Sequence, residues 1–128
     1  SPAMLKIAEK GCYDEASLAR GMTEERKRRY FERVPQGWRV SAAIKSNIQF
    51  RELNLLQSYV LLGRFDIIFC RNVLIYFSKE LKKDVLERMA RTLNPGGFLF
   101  LGGSESMTNI TECYTMQNIA GGVVYQVK

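Results

Sequence analysis

Phe65-Asp66-Ile67-Ile68-Phe69-Cys70-Arg71-Asn72-Val73-Leu74-Ile75-Tyr76-Phe77 is an apolar run that breaks at a polar Arg-Asn pair and resumes before a tyrosine. A run this short and this rich in Ile and Phe predicts a strand buried on both faces of a parallel sheet. Open α/β sheets bind ligands just beyond the carboxyl ends of such strands. The expectation is a central strand over 65–70 running into a binding loop, with Arg71, Asn72 and Tyr76 at the working edge.

Downstream, Ser78 is placed to cap a helix over 79–93 whose Leu81, Val85, Leu86, Met89 and Leu93 share one face. Asn94-Pro95-Gly96-Gly97 ends it, and Phe98-Leu99-Phe100-Leu101 reads as the next buried strand, reached by a right-handed crossover. If the two strands are neighbours, the loop Gly102-Gly103-Ser104-Glu105-Ser106 lies beside Arg71 and Asn72. The tail, 114–119 and 123–127 about Gly121-Gly122, predicts a terminal hairpin.

Upstream, Ser1-Pro2 and Gly11 bracket a helix as N-cap, first helical residue and terminator. Residues 14–20 suit a short helix, and Thr23 followed by Glu24 and Glu25 starts another that runs to about Phe31. After the turn chemistry of Pro35-Gln36-Gly37 the period becomes two, through Trp38, Val40, Ala42 and Ile44 and then Ile48 and Phe50. That pattern predicts an antiparallel hairpin over 35–52 turning near Lys45-Ser46-Asn47, either an ordinary edge hairpin or a partner-binding subdomain.

Composition narrows the classes. The 128 residues, 46% hydrophobic, suffice for one core. No apolar run approaches the ~18 residues that cross a bilayer, and no signal-peptide pattern opens the chain, so a cytoplasmic protein without membrane insertion is expected. The three cysteines, Cys12, Cys70 and Cys113, are widely spaced and there is no histidine, so the usual zinc sites cannot be built and no metal is expected. Lacking histidine, the chain also lacks the commonest general base and the Ser-His and Cys-His pairs. Its chemistry must need little proton transfer or borrow a base from elsewhere. The net charge of +6 gathers in 20–33, but Glu24, Glu25 and Glu32 are interleaved there. A mixed-charge helix surface fits that pattern better than a phosphate-tracking stripe, so no nucleic acid is expected.

Phe-Asp-Ile-Ile-Phe-Cys, an amphipathic helix, Leu-Asn-Pro-Gly-Gly and an apolar strand resemble the second half of class I S-adenosylmethionine-dependent methyltransferases. Cys70-Arg-Asn-Val-Leu-Ile-Tyr-Phe77, with Asn54-Leu55 upstream and Gly103-Ser104-Glu105 downstream, looks like the chemotaxis receptor methyltransferase family, CheR. The resemblance covers nearly the whole chain. The fold it implies is α/β: an incomplete Rossmann-like class I methyltransferase sheet with an inserted small antiparallel β-subdomain at 35–52. The activity it implies is methylation of glutamate side chains on the cytoplasmic domain of chemotaxis receptors, with S-adenosylmethionine as cofactor and S-adenosylhomocysteine as product. Asn54 and Leu55 match positions beside the adenine, Arg71, Asn72 and Val73 match the loop against the amino-acid and adenosine portions, and Tyr76 matches the tyrosine near the methyl group. A turn cap at Asn72 and a core aromatic at Tyr76 are the structural alternatives.

The family's glycine-containing cofactor loop and ribose-binding acid find no match in these residues, and the Gly102-Gly103-Ser104-Glu105 loop has glycine where relatives often have histidine. The expectation is a carboxyl-terminal portion, 1–128, of a methyltransferase domain, inactive alone, with an open edge inviting dimerisation or strand exchange. Two rival readings remain. A noncatalytic methyltransferase-like module could bind an acidic protein partner. A nucleic-acid methyltransferase is disfavoured, because the Pro-Pro-Tyr type of signature is missing.

Overall fold

The computed structural model describes residues 1–128, which fall into two compact units, 1–53 and 54–128. In the first unit, helix α1 (Pro2–Lys10) starts after Ser1 with proline in its first turn. It stops at Gly11, whose left-handed backbone (φ 70°) returns an N–H to Ile7 O at 3.0 Å. Strand β1 (Cys12–Tyr13) follows. Helix α2 (Glu15–Ala19) is capped by Asp14, which accepts from Ser17 N at 2.7 Å. Thr23 caps α3 (Glu24–Tyr30) in the same way, accepting from Arg26 N at 3.1 Å, with Glu24 and Glu25 at the positive end of the helix dipole.

Strands β2 (Phe31–Val34) and β3 (Gly37–Val40) form a hairpin across Pro35-Gln36, and β1 pairs with the other edge of β3. Gly37 is required where β1 passes, because a Cβ there would collide with Tyr13 O. Trp38 ties the unit together. Its indole N–H donates to Glu15 Oε1 at 2.8 Å, and the buried Lys27 ammonium lies 4.9 Å from its ring centre while bonding Glu24 at 2.8 Å.

The hairpin is not where alternation put it. The strand that begins beside Trp38 ends at Val40, residues 42–45 are helix α4 (Ala42–Lys45), and Ile48 and Phe50 belong to no strand. The turn is at Pro35-Gln36 rather than at 45–47. Ala42 and Ala43 are strong helix formers after Ser41, and Phe31–Val34 upstream supplies the partner strand.

In the second unit, residues 54–59 form an irregular segment followed by a 3-10 turn at Val60–Leu62. Then come β4 (Phe65–Cys70), α5 (Lys79–Thr92), β5 (Leu93–Leu101), β6 (Tyr114–Ile119) and β7 (Gly122–Val127). The sheet order is β4-β5-β7-β6, with β4 parallel to β5 and the rest antiparallel. As expected, Ser78 caps α5 by accepting from Leu81 N at 3.2 Å, and the helix buries Val85, Leu86 and Met89. These pack in one cluster with Leu99, Leu93, Cys70, Leu74 and Tyr114. Each fully buried aliphatic side chain contributes about 1.5–3 kcal/mol. The Tyr114 hydroxyl reaches Leu86 O at 2.7 Å, and burial pushes its pKa upward.

Three expectations need correction here. Helix α5 stops at Thr92, and Leu93 to Gly97 form the first half of β5 rather than a helix end and loop, because Leu93 pairs with Phe65 ahead of an irregularity in the ladder. Strand β4 is neither central nor buried on both faces: it pairs with β5 alone, and Ile67 and Phe69 are 50% and 70% exposed. Helix α5 packs on one face only. On the other, Phe69 stacks on Phe100 with centroids 4.8 Å apart. The terminal hairpin exists, but its turn is Ala120-Gly121, with φ 51° and 81°, and Gly122 pairs with Ile119. Positive φ at both central residues is the type I′ geometry that matches strand twist, so twist decides the turn over the Gly-Gly pair.

Leu99→Ala is expected to cost about 2–5 kcal/mol in urea unfolding. Ala120→Asn should raise stability by about 0.5–1 kcal/mol, because asparagine tolerates the left-handed backbone that alanine resists.

Candidate functional site

Parallel pairing of β4 with β5 sets Cys70 opposite Leu101, so the chain leaves both strands at the same end of the sheet. Arg71 and Asn72 follow one strand and Gly102 to Glu105 the other. Asn72 adopts a left-handed backbone, φ 59°. Asparagine is among the few residues that accept it readily. Its side chain is set directly against Gly102: a Cβ at 102 would fall on Asn72 Oδ1 and within 3.1 Å of Asn72 N. Gly102 is buried, and its conformation is held from the other side by Glu105. Gly102 N donates to Glu105 Oε2 at 3.1 Å, and Glu105 N donates to Gly102 O at 3.0 Å.

The remaining predicted residues fall around this contact in different ways. Arg71, exposed and in no ion pair, lines a groove of about 700 Å³ with Ile67, Phe100, Gly102 and Glu105. Val73 is 45% exposed, while its neighbour Leu74 is buried and anchors the loop through Phe77 N to Leu74 O at 3.1 Å. Tyr76 is 95% exposed, which removes the core-aromatic alternative. Asn54 accepts from Leu56 N through Oδ1 at 2.9 Å, which leaves its amide N–H groups free of protein partners. Leu55 is half-buried against the core, and its carbonyl accepts from the buried Tyr59 hydroxyl at 2.6 Å. Arg88 fixes the same segment by donating to Leu56 O and Gln57 O, each at 2.9 Å. Asn54, Leu55, Asn72, Val73 and Tyr76 do not line the 700 Å³ groove. Of the six predicted residues, the structure brings Arg71 alone into it, with Asn72 abutting its wall at Gly102.

A second depression, of about 530 Å³, is bounded by Tyr59, Arg64, Arg88 and Arg91. Its Arg64 and Arg88 guanidiniums are engaged with carbonyls of 91, 93, 56 and 57, so they hold the fold together. Cys70 is no nucleophile: burial, and then the charge of Glu105, push its thiol up to about 11, and it stays protonated near neutral pH. The groups at the strand ends are an amide, a guanidinium, a phenol, backbone and the Glu105 carboxylate, which is turned onto Gly102 N, a set suited to binding and orienting a polar ligand.

Sequence reasoning placed the 102–106 loop beside Arg71-Asn72 but assigned no role to Gly102 or Glu105. A carboxylate three residues after a glycine, at a strand's end, is the signal that would have found them, since it can close a turn onto the glycine's N–H.

A family model described as the CheR methyltransferase, SAM binding domain, matches residues 1–122. The chain is 50% identical over 129 aligned positions to "Chemotaxis protein methyltransferase 1" of Pseudomonas aeruginosa, covering 100% of the chain and 47% of the relative. Identity and coverage are the same for "Chemotaxis protein methyltransferase Cher2" of Pseudomonas putida. The "Chemotaxis protein methyltransferase" of Escherichia coli is 35% identical over 127 positions, which cover 95% of the chain and 43% of that protein. The chain thus spans about half the length of the curated relatives it matches.

Gly102→Ala should destabilise the chain by about 1–3 kcal/mol, because the added methyl collides with Asn72. Gly103→Ala, with open space around it, should stay within about 0.5 kcal/mol. Equal denaturant midpoints for the two variants would contradict the packing described.

Proposed function

The chain belongs to the CheR methyltransferase family, and we propose that it forms one wall of an S-adenosylmethionine site used to methylate glutamate side chains of chemotaxis receptors. The observation that carries this reading is Asn72, left-handed and seated on Gly102 where two parallel strands end together. Ligands of open α/β sheets bind at that end. Bound there, S-adenosylmethionine supplies a methyl group on a sulfonium, which takes back the bonding electron pair as the methyl leaves. A glutamate carboxylate, ionised at neutral pH, attacks without a base, so the protein's contribution is positioning. That agrees with a chain without histidine and with a protonated Cys70.

In this reading Asn54, whose amide N–H groups are free, bonds the adenine edge and Leu55 packs against the ring. Arg71, Asn72 and Val73 face the cofactor's amino-acid and ribose portions. The exposed Tyr76 hydroxyl orients the incoming carboxylate. The small β1-β3-β2 sheet serves as the family's inserted β-subdomain. The partner is the receptor's cytoplasmic domain rather than a nucleic acid, and the protein works in the cytoplasm. Alone, the 128 residues are proposed to be inactive, since these contacts form one wall. Through the unpaired edge of β4 the chain alone is further proposed to dimerise or exchange strands.

The reading is tested in the Pseudomonas aeruginosa relative with its matching 129 residues replaced by this chain. Asn72→Ala should weaken S-adenosylhomocysteine binding about tenfold, the equivalent of ~1.4 kcal/mol. Tyr76→Phe should lower kcat about tenfold with little change in that affinity. Unchanged affinity in the first variant, or unchanged turnover in the second, would count against the assignments. For the chain by itself, sedimentation should show concentration-dependent dimer; a clean monomer refutes the edge pairing.

A further inference from the structure

We infer that Glu105 is a positioning residue for the cofactor loop, its carboxylate locking the turn after β5 so that the Gly102 backbone becomes a shelf holding Asn72 in its left-handed conformation. The inference rests on the proposed role of Asn72.

Three contacts in series make the connection. Glu105 Oε2 accepts from Gly102 N at 3.1 Å, Gly102 O accepts from Glu105 N at 3.0 Å, and Gly102 Cα lies against Asn72 so closely that no side chain fits between them. Neither loop belongs to a regular element, so hydrogen bonding within the strands does not restrain them. The carboxylate is held at a cost. Oε1 is buried and has no hydrogen-bond partner, which destabilises the folded chain. Such an atom calls for an explanation in terms of what its side chain achieves. Oε1 is sealed from solvent, so a direct bond to a ligand is out of its reach as the loop stands. What the side chain achieves is the bond made by the other oxygen, which fixes Gly102 and, through it, Asn72. A left-handed asparagine released from that shelf regains its ordinary conformations, and its amide is no longer pre-set for a ligand.

The test separates the hydrogen bond from the charge. Glu105→Gln keeps an acceptor of the same reach and loses the charge, while Glu105→Asp keeps the charge and loses the reach. In the 128-residue chain, amide exchange at Gly102 should quicken at least about tenfold in Glu105→Asp and Glu105→Ala, and stay within about threefold in Glu105→Gln. In the Pseudomonas aeruginosa chimera, Glu105→Asp and Glu105→Ala should weaken S-adenosylhomocysteine binding about tenfold and raise cofactor KM in step, with kcat falling less than about threefold, while Glu105→Gln restores the affinity. If Asn72→Ala weakens binding and neither Glu105→Asp nor Glu105→Ala does, the positioning role is overturned and the site assignment stands. A Glu105→Gln as weak as Glu105→Asp also overturns it. If Asn72→Ala itself leaves affinity unchanged, the underlying site assignment falls.

Discussion

Parallel pairing of β4 with β5, in register from Ile67 opposite Phe98 to Cys70 opposite Leu101, is the constraint on which the second unit depends. Two parallel strands adjacent in sequence need a crossover, and α5 is that crossover. Its buried Val85, Leu86 and Met89 cover the face that carries Leu99. The amino ends of the strands are locked as well. Arg64 donates to Arg91 O and Leu93 O at 2.8 Å, and Asn94 Nδ2 donates to Asp66 Oδ1 at 2.9 Å. Gly97 has no room for a side chain between Asn94 O and Asp66 O. At the carboxyl ends the same register sets Asn72 against Gly102. One pairing therefore supplies both the core and the loop geometry of the candidate site.

Features set by local chemistry were legible in the sequence. Ser78 and Thr23 cap the helices that start beside them, Gly11 ends α1, and the apolar residues 81, 85, 86 and 89 mark the packed side of α5, whereas Leu93 already belongs to β5. The misplaced features depend on partners that period alone does not identify. Alternation from Trp38 onward predicts a partner strand downstream, whereas β3 pairs backward with Phe31–Val34, leaving Ala42 and Ala43 to their helical preference. An apolar run such as 65–70 says that its side chains favour burial, not how many helices cover it, and here one face is open. The Ala120-Gly121 turn was hidden because alanine is a poor witness to positive φ.

The site was legible in part. A polar pair closing an apolar strand located Arg71 and Asn72, and exposure leaves Tyr76 available to a ligand or substrate. Asn54 is held in a local turn by bonds from Leu56 N and Gln57 N, and the segment 55–57 is fixed by Tyr59 and Arg88, which no period in the stretch announces. Glu105 bonds backbone groups of Gly102, so its only trace in residue types is a carboxylate three positions after a glycine at a strand's end. Taken together, these side chains are suited to orienting a polar ligand, which is what the proposed methyl transfer to an ionised carboxylate demands.

The most direct measurement follows the methyl group. The Pseudomonas aeruginosa chimera carrying this chain would be incubated with methyl-labelled S-adenosylmethionine and a receptor cytoplasmic domain, and the labelled receptor then treated with mild alkali. The account predicts incorporated label that alkali releases as methanol, the behaviour of a glutamyl methyl ester. No incorporation, or label that survives alkali as on nitrogen, would contradict it.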